Sequence, residues 1–279
     1  MVAALPSGAE PPAATAALPT GLQCLLTAYP DTLCRATPEA IYHCDGTRIP
    51  WDDGVPNKPF KALLEQPDLE EMMRTAYPAG PMPSGPTPLP RLALPFEPGR
   101  WRHEPLFEAM YGDTKNAVRA RLERVKWLPR SGGRGVLMTR TNGAAAALKR
   151  VSDDIQRELP WSLRKLAATT SGTFNWRTVR KSPRRSMHSF GIAIDVAVKQ
   201  SDYWAWNRPA SDGRYRYKNR FPYAVAKIFE RHGFIWGGKW EHFDTMHFEY
   251  RPELLVAACI GKPLGKSADS ETRPNELGR

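Results

Sequence analysis

Apolar and small residues alternate along IAIDVAV at 192–198. On a strand, Ile192, Ile194, Val196 and Val198 fall on one side, and Ala193, Asp195 and Ala197 on the other. The first side is a core face. The second is small, with one carboxylate standing in it. MHFEY at 246–250 repeats the pattern: Met246, Phe248 and Tyr250 share a face, and His247 and Glu249 share the opposite one. VLMTRTN at 136–142 predicts a further short strand. Helical spacing predicts a helix over 143–159, through Ala147, Leu148, Val151 and Ile155, closed by Pro160. A second helix is predicted over 220–234, with Pro222 in its first turn, a stripe of Ala224, Val225, Ile228 and Phe229, and Gly233 at its C′ position.

The N-terminal half is less regular. Leu22, Leu25 and Leu26 predict a helix near 22–29, and Leu63, Leu64, Leu69, Met72 and Met73 predict helical structure over 60–77. TRIPWDDG between them reads as loop and turn. Residues 78–99 are rich in proline, which excludes helix and leaves a linker or an extended strap. Residues 1–20 and the last 17 residues read as disordered tails. The expected division is therefore tail over 1–20, helical extension with a proline-rich strap over 21–100, a main domain over 101–262, and a tail over 263–279.

Composition narrows the class. The chain has 279 residues, 41% hydrophobic and 25% charged, which is a globular composition. No apolar run is long enough to span a membrane. The formal charge of +11 favours polyanionic partners, either nucleic acid or an acidic wall polymer. No nucleic-acid-binding motif is present, and the aromatics are not interleaved with basic residues, so nucleic acid is not expected. Cys24, Cys34, Cys44 and Cys259 form no C-x-x-C pair, which argues against a cysteine zinc cluster. A Cys34–Cys44 bridge suits an exported protein; free buried thiols are the other reading. The N-terminus lacks the features of a complete secretory signal.

The chemistry gathers at the two strands. Gly191 allows a tight turn, so His188 can approach Asp195 although seven positions separate them. With His247 they make two imidazoles and a carboxylate, a set that suits catalytic zinc with one position left for water. Asp244, three residues before His247, is placed to act as general base. Glu241 and His242 compete with Asp244 and His247 for these roles. Ser186 has no base paired with it, so a serine hydrolase is rejected. Tyr203, Trp204 and Trp206 in DYWAWNRP either line a cleft or pack in the core.

The run of Ser186, His188, Gly191, Ala193 and Asp195 (S-x-H-x-x-G-x-A-x-D) resembles the signature of a zinc peptidase family. So does D-T-M-H at 244–247. That family includes VanY-type D-alanyl-D-alanine carboxypeptidases, VanX-type dipeptidases and phage L-alanyl-D-glutamate endopeptidases. The run GFIWGGKWEHFDTMHFE is most similar to the phage branch, and the resemblance covers roughly residues 135–255. It implies one Zn2+ held by His188, Asp195 and His247, with Asp244 as the catalytic base. It also implies an upstream arginine for the oxyanion, here Arg177, with Arg184 and Arg185 as alternatives. Ser186, Arg185 and Trp240 are the expected substrate contacts. The implied fold is α+β: a small antiparallel sheet carrying the zinc site, helices packed on one face, and an N-terminal helical extension. The implied substrate is the stem peptide of peptidoglycan, cut by a carboxypeptidase or an endopeptidase in the periplasm or outside the cell. A non-catalytic wall-binding protein is the reading from another class.

Overall fold

In the computed structural model, residues 17–81, 96–180, 182–211, 213, 215–218 and 220–261 are described. Both expected tails lie largely outside them, as does the middle of the proline-rich segment.

The N-terminal region is not purely helical, contrary to expectation. After α1 (Thr20–Ala28), the chain forms an antiparallel three-stranded sheet of β1 (Leu33–Thr37), β2 (Ala40–His43) and β3 (Arg48–Pro50). β3 falls inside the stretch expected to be loop. A two-residue connection, Pro38–Glu39, joins β1 to β2, and Cys34 is bonded to Cys44 across this hairpin. The helix expected over 60–77 is two helices, α2 (Phe60–Glu65) and α3 (Leu69–Arg74). Pro67 cannot continue the first, and Asp68 starts the second with a capping box: its carboxylate accepts from Glu71 N–H at 2.7 Å while Glu71 returns to Asp68 N–H at 3.0 Å.

Two short helices follow, α4 (Glu104–Tyr111) and α5 (Lys115–Arg119), then a hairpin of β4 (Leu122–Lys126) and β5 (Gly135–Thr139). The predicted helix over 143–159 is α6 (Ala144–Glu158). Pro160 closes it as expected and also begins α7 (Trp161–Ala168). A four-stranded antiparallel sheet carries the motifs. Its strands are β6 (Thr170–Gly172), β7 (Ala193–Val196), β8 (Phe234–Trp236) and β9 (His247–Tyr250), in the order β6-β7-β9-β8. The helix before β8 is α8 (Tyr223–Arg231), begun by Pro222 and ended before Gly233, whose φ is 87°.

The alternation in the sequence is borne out over 193–196 and 247–250, but Val198 already begins a 3-10 turn and Met246 lies before β9, and neither joins the main core. Ile194, Val196, Phe248 and Tyr250 are buried in the main core, where Phe248 stacks on Phe229 of α8 with ring centroids 3.9 Å apart. The residues between them face the other way. The same core takes in Leu22 and Leu25 of α1 and Leu69 and Met72 of α3, so the N-terminal region is packed into the body of the protein.

A second disulfide, Cys24–Cys259, ties α1 to the turn beyond β9 across 235 positions. Removing it by a paired Cys24→Ala and Cys259→Ala change is expected to cost about 2–5 kcal/mol of stability. Urea unfolding of the two proteins without reductant measures this, and a loss under about 1 kcal/mol counts against a stabilising bridge.

Candidate metal centre and cleft

Asp195 on β7 stands directly opposite His247 on β9, and Ala193 opposite Glu249. Paired residues on one face of an antiparallel ladder lie close enough to touch, and the small Ala193 leaves room beside them. His188 reaches the same place from a 3-10 turn, Met187–Phe190, that ends at Gly191 with φ 67°. Gly191 O also accepts from Thr139 N–H at 2.9 Å, tying the turn to β5. His188, Asp195 and His247 thus offer ligand atoms within 4.8 Å of one another.

The second contacts of the imidazoles decide which nitrogens face the centre. His188 Nδ1–H donates to Thr173 O at 2.6 Å, which leaves Nε2 as the lone pair; it is buried, 3.2 Å from Asp195 Oδ2, and has no hydrogen-bond partner. His247 Nε2–H donates to Glu249 at 2.9 Å, which turns Nδ1 toward Asp195 Oδ1 at 2.8 Å. Burial would raise Asp195, yet it is held below the ordinary carboxylate range by the nearby His188 and by the hydrogen bond to His247. His247 is pushed up to about 10, since Asp195 and Glu249 outweigh burial. A cation at this place needs Nδ1 free of a proton, so metal binding competes with protonation of His247. One carboxylate and two imidazole nitrogens, each ring oriented by a contact at its other nitrogen, fit a zinc ion.

Glu249 is itself fully buried and pairs with Arg102, whose Nε donates to it at 3.2 Å. Arg102 belongs to residues 96–102, immediately after the proline-rich segment. This stretch lies against the site. Glu241 N–H donates to Phe96 O at 2.8 Å, and Phe96 N–H to the Glu241 carboxylate at 3.1 Å. His242 gives both its backbone N–H and its ring to Glu97, and Arg100 donates to His242 O. Glu241 and His242, the competitors for base and ligand, are thus engaged in anchoring this stretch.

Asp244 sits in the turn before β9, half-buried, with its Oδ1 shut off from solvent and without a hydrogen-bond partner among the described residues. Its backbone N–H donates to Gly237 O at 2.9 Å. A Cβ on Gly237 would come within 2.6 Å of Asp244 O, so the glycine-rich turn is what lets the two segments meet. Burial, helped by Asp195, pushes the Asp244 carboxyl up to about 6 against the pull of the histidines and Arg100.

A cavity of about 330 Å³ opens over His188, Asp195, Asp244 and His247. Ser186, Arg177 and Trp240 of the expected contacts line it. Trp240 is buried, donates to Pro98 O at 2.7 Å, and lies under the guanidinium groups of Arg100 and Arg102. Arg177 is exposed and also lines a smaller recess of about 80 Å³ that shares His188 and Asp195. Arg185 is not among the lining residues: its guanidinium is 3.3 Å from Glu108 and stacks on Trp176. The aromatic run divides, with Tyr203 and Trp206 on the cavity wall and Trp204 packed against Tyr215 and His242. The sequence reading missed Arg100 and Arg102, which also line the cavity. Their signal was weak, an R-W-R triplet at the expected domain boundary, 142 positions from His242 for Arg100 and 147 from Glu249 for Arg102.

Comparison with curated proteins and comparison with solved structures each give no match. Residues 180–250, which contain both motifs and the whole set of ligand candidates, match the family described as D-alanyl-D-alanine carboxypeptidase.

Proposed function

We propose that the protein is a zinc-dependent hydrolase of peptidoglycan stem peptides that removes a terminal D-alanine. The observation that carries this is the convergence of His188, Asp195 and His247 beside Asp244, whose buried Oδ1 has no hydrogen-bond partner among the described residues. Zinc held by the three side chains would polarise the scissile carbonyl and lower the pKa of water. Asp244 Oδ1 accepts the proton of the attacking water and returns it to the departing amine. Arg177, on the rim shared by both recesses, supplies positive charge to the oxygen that becomes anionic. Two disulfides support an oxidising location, periplasmic or extracellular, where the wall is accessible. Among the described residues no helix is long and apolar enough to cross a membrane.

A second reading, an endopeptidase, is favoured by one feature: a second recess shares Arg177, His188 and Asp195 with the main cavity, which offers room for chain beyond the residue at the cut. Digestion of defined muropeptides, read by mass spectrometry with zinc and with chelator, separates the two. Loss of one alanine that chelator abolishes is the expected result. Cleavage within the stem or cross-link selects the endopeptidase, and no cleavage by zinc-loaded protein overturns both.

A further inference from the structure

We propose that Arg184 is the seat of a substrate carboxylate next to the scissile amide, an inference that rests on the hydrolase reading for the identity of the substrate. Arg184 lines the cavity and is only 9% exposed. Its neighbours are matched: Arg102 pairs with Glu249, and Arg100 with Glu97 at 3.7 Å. Arg184 has no acidic partner within ion-pair distance among the described residues. Among the described residues its guanidinium makes one hydrogen bond, from Nη1 to Arg100 O at 3.1 Å, and its Nε is buried without a partner. Burial and the nearby charges of Arg102 and Arg100 pull it down to about 9, so it still carries its charge at neutral pH.

A buried cation without a counter-ion is costly, and a fold that retains one holds an unfilled demand for an anion. The planar guanidinium matches a carboxylate through paired hydrogen bonds. A doubly charged phosphate fits less well, because Asp195 and Asp244 face the same cavity. Two carboxylates meet the description: the α-carboxylate of a C-terminal residue, or the side chain of an acidic residue beside the cut.

The test follows the Arg184 Nε–H resonance of the metal-free protein, assigned by its loss in Arg184→Lys. N-acetyl-D-alanine, N-acetyl-D-alaninamide and N-acetylglutamic acid α-amide are added in turn. One or both acids shift the resonance and the alaninamide does not; the acid that acts identifies the source. Titration calorimetry of the metal-free proteins with that acid reads the variants: Arg184→Gln weakens binding about ten- to hundred-fold, Arg184→Lys restores part of it, and the Tm of Arg184→Gln is equal to or above that of the wild type. In turnover the substitution raises KM more than it lowers kcat. No shift with either acid, equal binding of the amide, or a lowered Tm with unchanged acid binding would overturn the proposal. Since binding is read without metal or hydrolysis, an acid that binds to a protein inactive on every peptide rejects the hydrolase reading and leaves the anion seat standing.

Discussion

Asp244→Asn lowers kcat/KM on a stem peptide by about 10²–10⁴-fold, the range for loss of a positioned general base, while zinc binding stays stoichiometric. Asparagine keeps the shape but cannot take a proton. The other three groups of the site are untouched, so binding and polarisation survive. The wild-type pH profile should show the same group. A protonated Asp244 cannot accept, so activity falls as pH drops through its pKa. Burial places that value at about 6 without a cation; a bound cation favours the charged form and moves the limb lower. The stability change has the opposite sign. The carboxyl has a folded pKa above its unfolded value of 3.8, so folding penalises its charged form. The penalty is absent below the unfolded pKa and complete above about 6. Metal-free Asp244→Asn is therefore roughly 1–3 kcal/mol more stable than wild type at pH 7, and no more stable at pH 3. Retention of more than a tenth of the activity by the zinc-loaded variant would remove Asp244 from the role.

Glu249→Leu destabilises the metal-free protein by about 3–5 kcal/mol, because it strands the Arg102 guanidinium in the interior. Glu249 is fully buried between Arg102 and His247, and Arg102 is 8% exposed. Charge burial of this kind is tolerated only while both members are present. The double variant Arg102→Met with Glu249→Leu should recover most of the loss, since an apolar pair carries no desolvation cost. Urea unfolding of the two single variants and the double one completes the cycle. A single substitution that costs under about 1 kcal/mol, or a double variant as unstable as the single, would show that the pair is not coupled.

The parts of the site that could be read in the sequence were those set by local rules. Period-two alternation put Asp195 on one face of β7 and His247 with Glu249 on one face of β9, and the register brought them together. Gly191 signalled the turn that carries His188 in. Glu249 was visible on the right face, but its role was not, since its partner Arg102 lies 147 positions away with no pattern to pair them. The choice among arginines was also hidden. Arg177, Arg184 and Arg185 look alike in the chain, and only burial and ion pairing separate Arg185, held by Glu108, from Arg184, held by nothing acidic among the described residues. The N-terminal sheet was missed because its strands are three to five residues long and separated by turn residues such as Pro38 and Gly46. Glu241 and His242 matched the expected chemistry as well as Asp244 did; residues 96–100 are what occupy them.

The Cys24–Cys259 bond closes residues 24–259 into a covalent ring. Tension applied to the chain on either side of the ring passes from sulfur to sulfur and bypasses everything between. The ring cannot be drawn out while the bond holds, and the cleft inside it stays slack. A backbone nick within the ring likewise releases no fragment, because both pieces remain joined through the bridge.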